Sequence, residues 1–286
     1  MNVYEIVTEK IVKLLEQGIV PWRRPWTSTG LPRNLVSKKP YKGINYFLLS
    51  ASKYVSPFWL TYRQANELGG NVRRGEESTI VIFWKVEDLK QSSEDLDTEK
   101  NRRRFLLRYY RVFNLEQCEL PQAVLDKLPN IETHQHDPIE AAERIIAGMP
   151  NPPEIQYAGS KAFYSPLTDR ITLPPRELFS TAEEFYATLN HEASHAVGHP
   201  KRLNRISITE AAPFGSPTYA AEELVAEMSA AYLCAEAGIS PAVLENQAAY
   251  VAGWLKKLRD DRRLLVHAAA QAQRAADYIL NRTCTD

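Results

Sequence analysis

Residues 187–205 read ATLNHEASHAVGHPKRLNR and hold three of the chain's six histidines, His191, His195 and His199, each four positions from the next. In His191-Glu192-Ala193-Ser194-His195 the outer pair is one helical turn apart, so both imidazoles face the same way and can share one cation. Glu192 then stands beside them as general base. That reading requires a helix, and Ser180 and Thr181, each with a glutamate three residues on, supply a capped start for it. His199 does not extend the set. On a continuous helix it lies about 12 Å from His191, whereas two nitrogens on one zinc ion are at most ~4 Å apart. Gly198 and Pro200 break the helix there, but the broken-helix motif H-E-x-x-H-x-x-G-x-x-H needs its third histidine where this chain has Lys201. His199 is read as a helix-end residue that satisfies terminal carbonyls.

A third ligand must come from elsewhere, and the helical stretch at 219–233, YAAEELVAEMSAAYL, offers Glu222, Glu223 and Glu227. Ala220, Leu224, Val225 and Met228 surround them, and a carboxylate in so apolar a stretch is paired or bound. Glu223 and Glu227 are one turn apart, so the first can bind metal while the second accepts from a ligand histidine's other ring nitrogen. Glu222 competes with Glu223 for the ligand role. The pattern resembles the glutamate zincins, whose second helix carries E-x-x-x-D, with Glu in place of the final Asp. The expected cofactor is Zn²⁺ or another divalent metal, and the expected chemistry is peptide hydrolysis with Glu192 taking a proton from the attacking water. Tyr164, Tyr219 and Tyr250 are candidates for stabilising the oxyanion. The strand around Ile171–Leu173 is expected to be a sheet edge to which an extended substrate adds.

The 286-residue chain is long enough for two domains, and its composition is that of a folded protein. Its start, MNVYEIVTEKIVKLLEQG, carries acidic residues and no small-residue cleavage site, unlike a targeting peptide. No apolar run approaches the ~20 residues of a membrane span. Cys118, Cys234 and Cys284 are odd in number and far apart, against a disulfide framework or a cysteine metal site. These features predict a cytoplasmic protein with no membrane partner.

A net charge of zero conceals a division: residues 1–115 hold 20 Lys+Arg against 12 Asp+Glu, a net +8, and the remainder carries −8. The first part therefore suits an anionic partner. Its apolar spacing predicts a helix over 2–17 stopped by Gly18, and STIVIFWKV (78–86) and FLLRYYRVF (105–113) predict strands flanking a polar hairpin tip at 87–104. PWRRPW (21–26) sets Trp22 and Trp26 around Arg23 and Arg24. Arg33, Lys38, Lys39, Tyr41, Lys42 and Tyr46 follow, with Arg73 and Arg74 in a glycine-flanked turn. Cations interleaved with flat rings suit a single nucleic-acid strand, whose phosphates meet Lys and Arg while its unstacked bases lie on the rings. Residues 116–136 read as a linker. Asp137, Pro138 and Glu140 then open a helix to about Met149, KAFYSPLTDRITLP (161–174) reads as strand, turn, strand, and helices follow near 217–237, 241–258 and 261–281. The expected fold is α+β: a small α+β nucleic-acid-binding domain over 1–115, then a mostly helical domain with a small sheet over 137–286.

With both parts read, the chain resembles the ArdC antirestriction family of conjugative plasmids, related to the TraC-like proteins. The first domain carries the resemblance in EQGIVPWRRPW, GLPRNLVSKKPYKGIN and GGNVRRGE, and the second in LNHEASHAVGHPKRLNR, EELVAE and AAYVAGWLKKL. It implies a zincin-like metallopeptidase domain with metal at His191, His195 and Glu223 and Glu192 in the catalytic position. It also implies single-stranded DNA binding and protection of incoming plasmid DNA from restriction enzymes. Three functions compete: a DNA-associated metallopeptidase acting on proteins bound nearby, a DNA-coating protein whose metal only holds its fold, and a primase-associated replication factor.

Overall fold

The computed structural model describes residues 2–17, 19–22, 31–52, 54, 56–88, 103–128, 138–209, 216–239 and 247–282. Helix α1 (Val3–Glu16) starts at Asn2, whose side chain accepts from Glu5 N–H while the Glu5 carboxylate accepts from Asn2 N–H, a reciprocal cap. It buries Val7, Ile11, Val12 and Leu15, the stripe its spacing predicts. The next elements are β1 (Arg33–Asn34), α2 (Ile44–Ser50), β2 (Phe58–Leu60), α3 (Tyr62–Glu67) and β3 (Asn71–Val72), then the long pair β4 (Thr79–Asp88) and β5 (Arg103–Asn114). The two long strands form an antiparallel ribbon at the edge of a four-stranded sheet in the order β1-β2-β5-β4. Of the hairpin tip expected at 87–104, residues 89–102 lie outside the described residues.

The segment expected as a linker from residue 116 begins instead as part of this first unit. β6 (Cys118–Glu119) pairs with β3, α4 (Gln122–Leu125) follows, and Leu120 and Leu128 pack against Leu35, Phe58 and Leu60. A backbone that donates to a sheet and buries leucines is not a free connector.

The second unit contains α5 (Pro138–Ala147), a three-stranded sheet of β7 (Glu154–Tyr157), β8 (Phe163–Ser165) and β9 (Arg170–Leu173), then α6 (Ala182–Ala196), α7 (Ile206–Thr209), α8 (Pro217–Ala237), α9 (Gln247–Asp260) and α10 (Leu264–Ile279). β9 lies at the centre, parallel to β7 and antiparallel to β8. The strand at 171–173 is therefore not an edge, because β9 is paired on both sides; β7 and β8 are the edges. Thr181 caps α6 by accepting from Glu184 N–H. Ser216 caps α8 with Pro217 in its first turn, and Gly238 ends that helix at a φ of 73°, a left-handed conformation that favours glycine.

One apolar core runs through both units. α1 and α2 contribute Val7, Ile11, Leu15, Ile44 and Phe47 to the cluster that α6, α8 and α10 fill with Phe185, Leu189, Leu224, Met228, Leu265 and Ala272. Tyr46 and Phe47 lie against the ring of Tyr232, whose hydroxyl donates to the Gly43 carbonyl at 2.6 Å. The helices that carry the histidine motif are thus held from both sides.

Candidate metal centre

α6 presents His191 and His195 one turn apart, and α8 packs across it. The two Nε2 atoms are 3.2 Å apart, and each lies 3.6 Å from a different oxygen of Glu223. At metal bonds near 2.1 Å the edge of a tetrahedral site is about 3.4 Å, so two imidazoles and a carboxylate at these spacings fit one metal ion and leave a fourth corner. Among the described residues this is the one group of three or more His, Cys, Asp or Glu side chains close enough to hold a metal.

The surroundings aim the donors. Glu222 Oε1 lies 3.2 Å from His195 Nδ1, which places the proton on Nδ1 and the lone pair of Nε2 toward the site. Arg205 grips the same carboxylate through Nε at 3.0 Å and through Nη2, while Nη2 also donates to the Ser194 carbonyl at 2.7 Å and Ser207 donates its hydroxyl to Glu222. Burial works against ionisation of Glu222, but hydrogen bonds from His195 and Arg205 hold its carboxyl down to about 2. Burial likewise opposes Glu223, yet hydrogen bonding to His191 and the neighbouring imidazoles keep it below the usual carboxylate range. Glu192 differs: burial pushes its carboxyl upward, against the pull of His191 and His195 and of the Tyr164 backbone N–H that donates to it. A buried carboxyl beside three donors is placed to exchange a proton with water.

Two expectations change here. Glu227, expected behind a histidine, accepts from the Trp22 indole at 3.1 Å while its charge helps raise the His191 imidazole, and Glu222 is the carboxylate on His195. Adjacent helical residues point about 100° apart, so the packing of α8 on α6, not the i,i+4 spacing, decides which glutamate looks inward. Arg205 and Ser207 were missed. Their signal is the chain reversal after α6, where Leu203 N–H returns to the Val197 carbonyl and Arg205 N–H to that of Gly198. A β-carbon on Gly198 would meet Ile208 Cγ1 at 2.5 Å, so only glycine permits that approach. His199 stays outside the trio; its Nδ1 accepts from Lys201 N–H and lies 3.8 Å from Asp169, rather than satisfying helix-end carbonyls.

The tyrosine candidates also separate. The Tyr219 hydroxyl bonds Glu223, and burial with that carboxylate raises it to about 12. The Tyr164 hydroxyl is directed away, donating to Asp169 at 2.9 Å, with Arg202 Nη2 3.4 Å from it. The side chain of Tyr250 lies outside the described residues.

Comparisons with known proteins agree with this architecture. Residues 1–113 match the family described as the N-terminal domain of anti-restriction factor ArdC, and residues 140–271 match a zincin-like metallopeptidase family. The uncharacterised protein y4eC of Sinorhizobium fredii is 36% identical over 97% of this chain and 91% of its own length. The chain belongs to the ArdC antirestriction family. The crystal structure of the ArdC protein from plasmid R388 in its metal-free form is 36% identical, superimposes with a TM-score of 0.75 and is covered over 97% of its chain. Its Mn(II)-bound structure gives the same TM-score at 34% identity. Two Escherichia coli DNA primases TraC, 35% and 36% identical, match over 97% of this chain, which spans only 27% and 20% of their lengths. The zincin-like domain implies a metal ion, in accord with the donor set above.

The ArdC N-terminal domain distributes its basic and aromatic residues differently from the sequence reading. Trp22 is 1% exposed and meets Trp254 edge to face; Tyr46 is 2% exposed between Phe47 and Tyr232; Tyr41 is buried over Leu49 and Trp59. These three rings are core and offer no face to a base: Trp22 and Tyr46 fill space between the units and Tyr41 fills space within the first, where apolar area is withdrawn from water. Lys39 and Arg74 are exposed, and Lys38 stands 5.5 Å over the Phe58 ring. Lys42 pairs with Asp277 at 3.1 Å, Arg73 with Glu76 at 3.1 Å, and Arg33 Nε donates to the Leu31 carbonyl. Arg23, Arg24 and Trp26 lie outside the described residues. No helix among the described residues is long and apolar enough to cross a membrane.

Proposed function

We propose that this protein is a cytoplasmic antirestriction factor whose N-terminal unit binds single-stranded DNA and whose second unit is a zinc metallopeptidase acting on protein near that DNA. What carries the peptidase reading is the spacing of His191, His195 and Glu223, with Glu192 buried on the same helix between the two histidines. A zinc or similar divalent ion bound there supplies Lewis acidity for a peptide carbonyl and for water; the R388 relative is described as Mn(II)-bound. Glu192 takes the proton of the attacking water and returns it to the leaving amine. Tyr219, whose hydroxyl bonds Glu223, stabilises the developing oxyanion, and the free edge of β8, whose Tyr164 N–H already reaches Glu192, is the strand along which an extended polypeptide lies. The remaining exposed cations, Lys38, Lys39 and Arg74, meet phosphates.

A second reading has its own support. α8 carries Glu223 and also forms the middle of the shared core, so a metal that merely pins α8 to α6 would serve a DNA-coating protein. Glu192→Gln separates the two, since it keeps the shape and all three donors and removes the base. The peptidase reading expects a variant with full metal content by plasma emission, and with both proteolysis and protection from restriction lost. Undiminished protection would leave the metal a structural role.

A further inference from the structure

The β4–β5 ribbon turns its aromatic residues to solvent. Phe83 and Trp84 on β4 and Tyr109 and Tyr110 on β5 are 47%, 51%, 43% and 44% exposed, although aromatic residues in strands ordinarily pack against a core. At its base the ribbon follows that rule, with Val81 and Val112 buried beside Tyr41 and Trp59. Above the base it does not. β2 pairs with β5 only at Phe113 and Asn114, so the ribbon extends past the sheet that supports it.

The register decides which residues share a face. Val81 lies opposite Tyr110 and Phe83 opposite Arg108, so Phe83, Tyr110 and Arg108 point the same way, while Trp84, Tyr109 and Arg111 point the other. On the first face the rings form a row: Tyr41 to Phe83 at 6.2 Å and Phe83 to Tyr110 at 5.7 Å, the second pair nearly edge to face. Tyr41 closes the inner end, and the exposed Lys38 and Lys39 precede it along the chain. The two strands carry Lys85, Arg103, Arg104, Arg108 and Arg111 against Glu87 and Asp88, five positive charges to two negative, a net +3.

We propose that this face of the β4–β5 ribbon is the base-stacking platform for single-stranded nucleic acid, with bases on Phe83 and Tyr110 and phosphates on Arg108 and on the Lys38–Lys39 segment. The assignment rests on the reading that the N-terminal unit binds single strands, and it moves the stacking rings from PWRRPW to the ribbon. A duplex offers few ring faces to stack on. A second copy of the chain would set one ribbon of net charge +3 against another. A single strand supplies both bases for the rings and phosphates for a ribbon of net positive charge.

The test is fluorescence anisotropy with a labelled oligothymidylate of about 20 nucleotides, titrated across salt concentrations. The expected result is binding by the wild-type protein and a loss of about tenfold per stack in the double variant Phe83→Leu, Tyr110→Leu, which keeps apolar bulk and removes the ring faces. Its salt slope stays unchanged because the cations remain, whereas Arg108→Gln lowers the slope by about one. Metal content and the thermal transition report that each variant folds, and Arg108→Gln, at an exposed position, decides the matter if the double variant does not. Wild-type binding with unaltered affinity and slope in the variants overturns the platform and leaves single-strand binding standing. No binding by the wild type overturns both. A change in self-association by light scattering, with DNA affinity unchanged, gives the face to a second copy and also overturns the platform.

Discussion

At the scale of the residue, the metal centre depends on a guanidinium that touches no donor. Arg205 is buried, and it neutralises Glu222 while Glu222 orients His195. Removing one partner of a buried pair leaves the other charge uncompensated, which costs about 3–5 kcal/mol, and loss of the partners that orient a ligand typically lowers metal affinity about 10–100-fold. Arg205→Leu is therefore expected to lower both the urea midpoint and the affinity for Zn²⁺ measured by competition with a chelating dye. Arg205→Lys keeps the charge but loses the two-pronged grip, and is expected to recover only part of each. A leucine variant with native zinc affinity would separate Glu222 from the work of the site. This is also where the sequence stops being informative. The four-residue spacing of His191 and His195 makes them partners on any helix, so it can be read directly. Whether Glu222 or Glu223 faces them depends on how α8 is rotated against α6, a tertiary fact that no spacing within 219–233 contains.

At the scale of the element, the free edge of β8 is held by one carboxylate. Asp169, in the turn between β8 and β9, accepts from Tyr164 at 2.9 Å and from Arg202, with Lys201 3.5 Å and His199 3.8 Å away. The turn that follows α6 is thereby tied to the hairpin along which substrate would lie. Burial opposes ionisation of Asp169, but the hydrogen bonds from Arg202 and Tyr164 bring its pKa below the ordinary value. A carboxyl depressed by folding stabilises the protein above its unfolded pKa of about 3.9, and that contribution disappears as pH falls through the folded value. Asp169→Asn should cost about 1–3 kcal/mol near neutral pH, with the difference from wild type closing below about pH 4 in urea titrations. The φ of Asp169 is +49°, which asparagine tolerates, so strain does not confound the comparison. A difference independent of pH would show that packing, not charge, fixes the hairpin. Some of the elements were legible: Thr181 and Pro217 mark helix starts by their chemistry, and runs of β-branched and aromatic residues mark β4 and β5, whereas α2 and β7 were not expected. The order β7-β9-β8 was not, because two short strands with similar patterns do not reveal which one acquires a second neighbour.

At the scale of the whole molecule, the charge division at Leu115 suggested two separable domains, and the packing joins them. The sequence shows an amphipathic stripe on α1 but neither the helix α2 nor what the two cover, and the structure sets them on α8, α9 and α10. The Trp22 indole reaches from the N-terminal unit to Glu227, one turn along α8 from the metal donor Glu223. Such a core predicts one unfolding event, with metal binding felt throughout. An ion held by the native state alone stabilises by about 2.7 kcal/mol at a hundredfold excess over Kd, which for a chain of this size raises Tm by about 5–10 °C. The emission of Trp22 and Trp59, both in the N-terminal unit, reports on that unit when Trp84 and Trp254 are replaced by phenylalanine and Trp26, which lies outside the described residues, by leucine. Adding Zn²⁺ is expected to move this emission transition by the same interval as the far-ultraviolet dichroism that reports on the helices. Two transitions, of which only the helical one follows the metal, would mean that the shared core is too weak to couple the N-terminal unit to the metal centre.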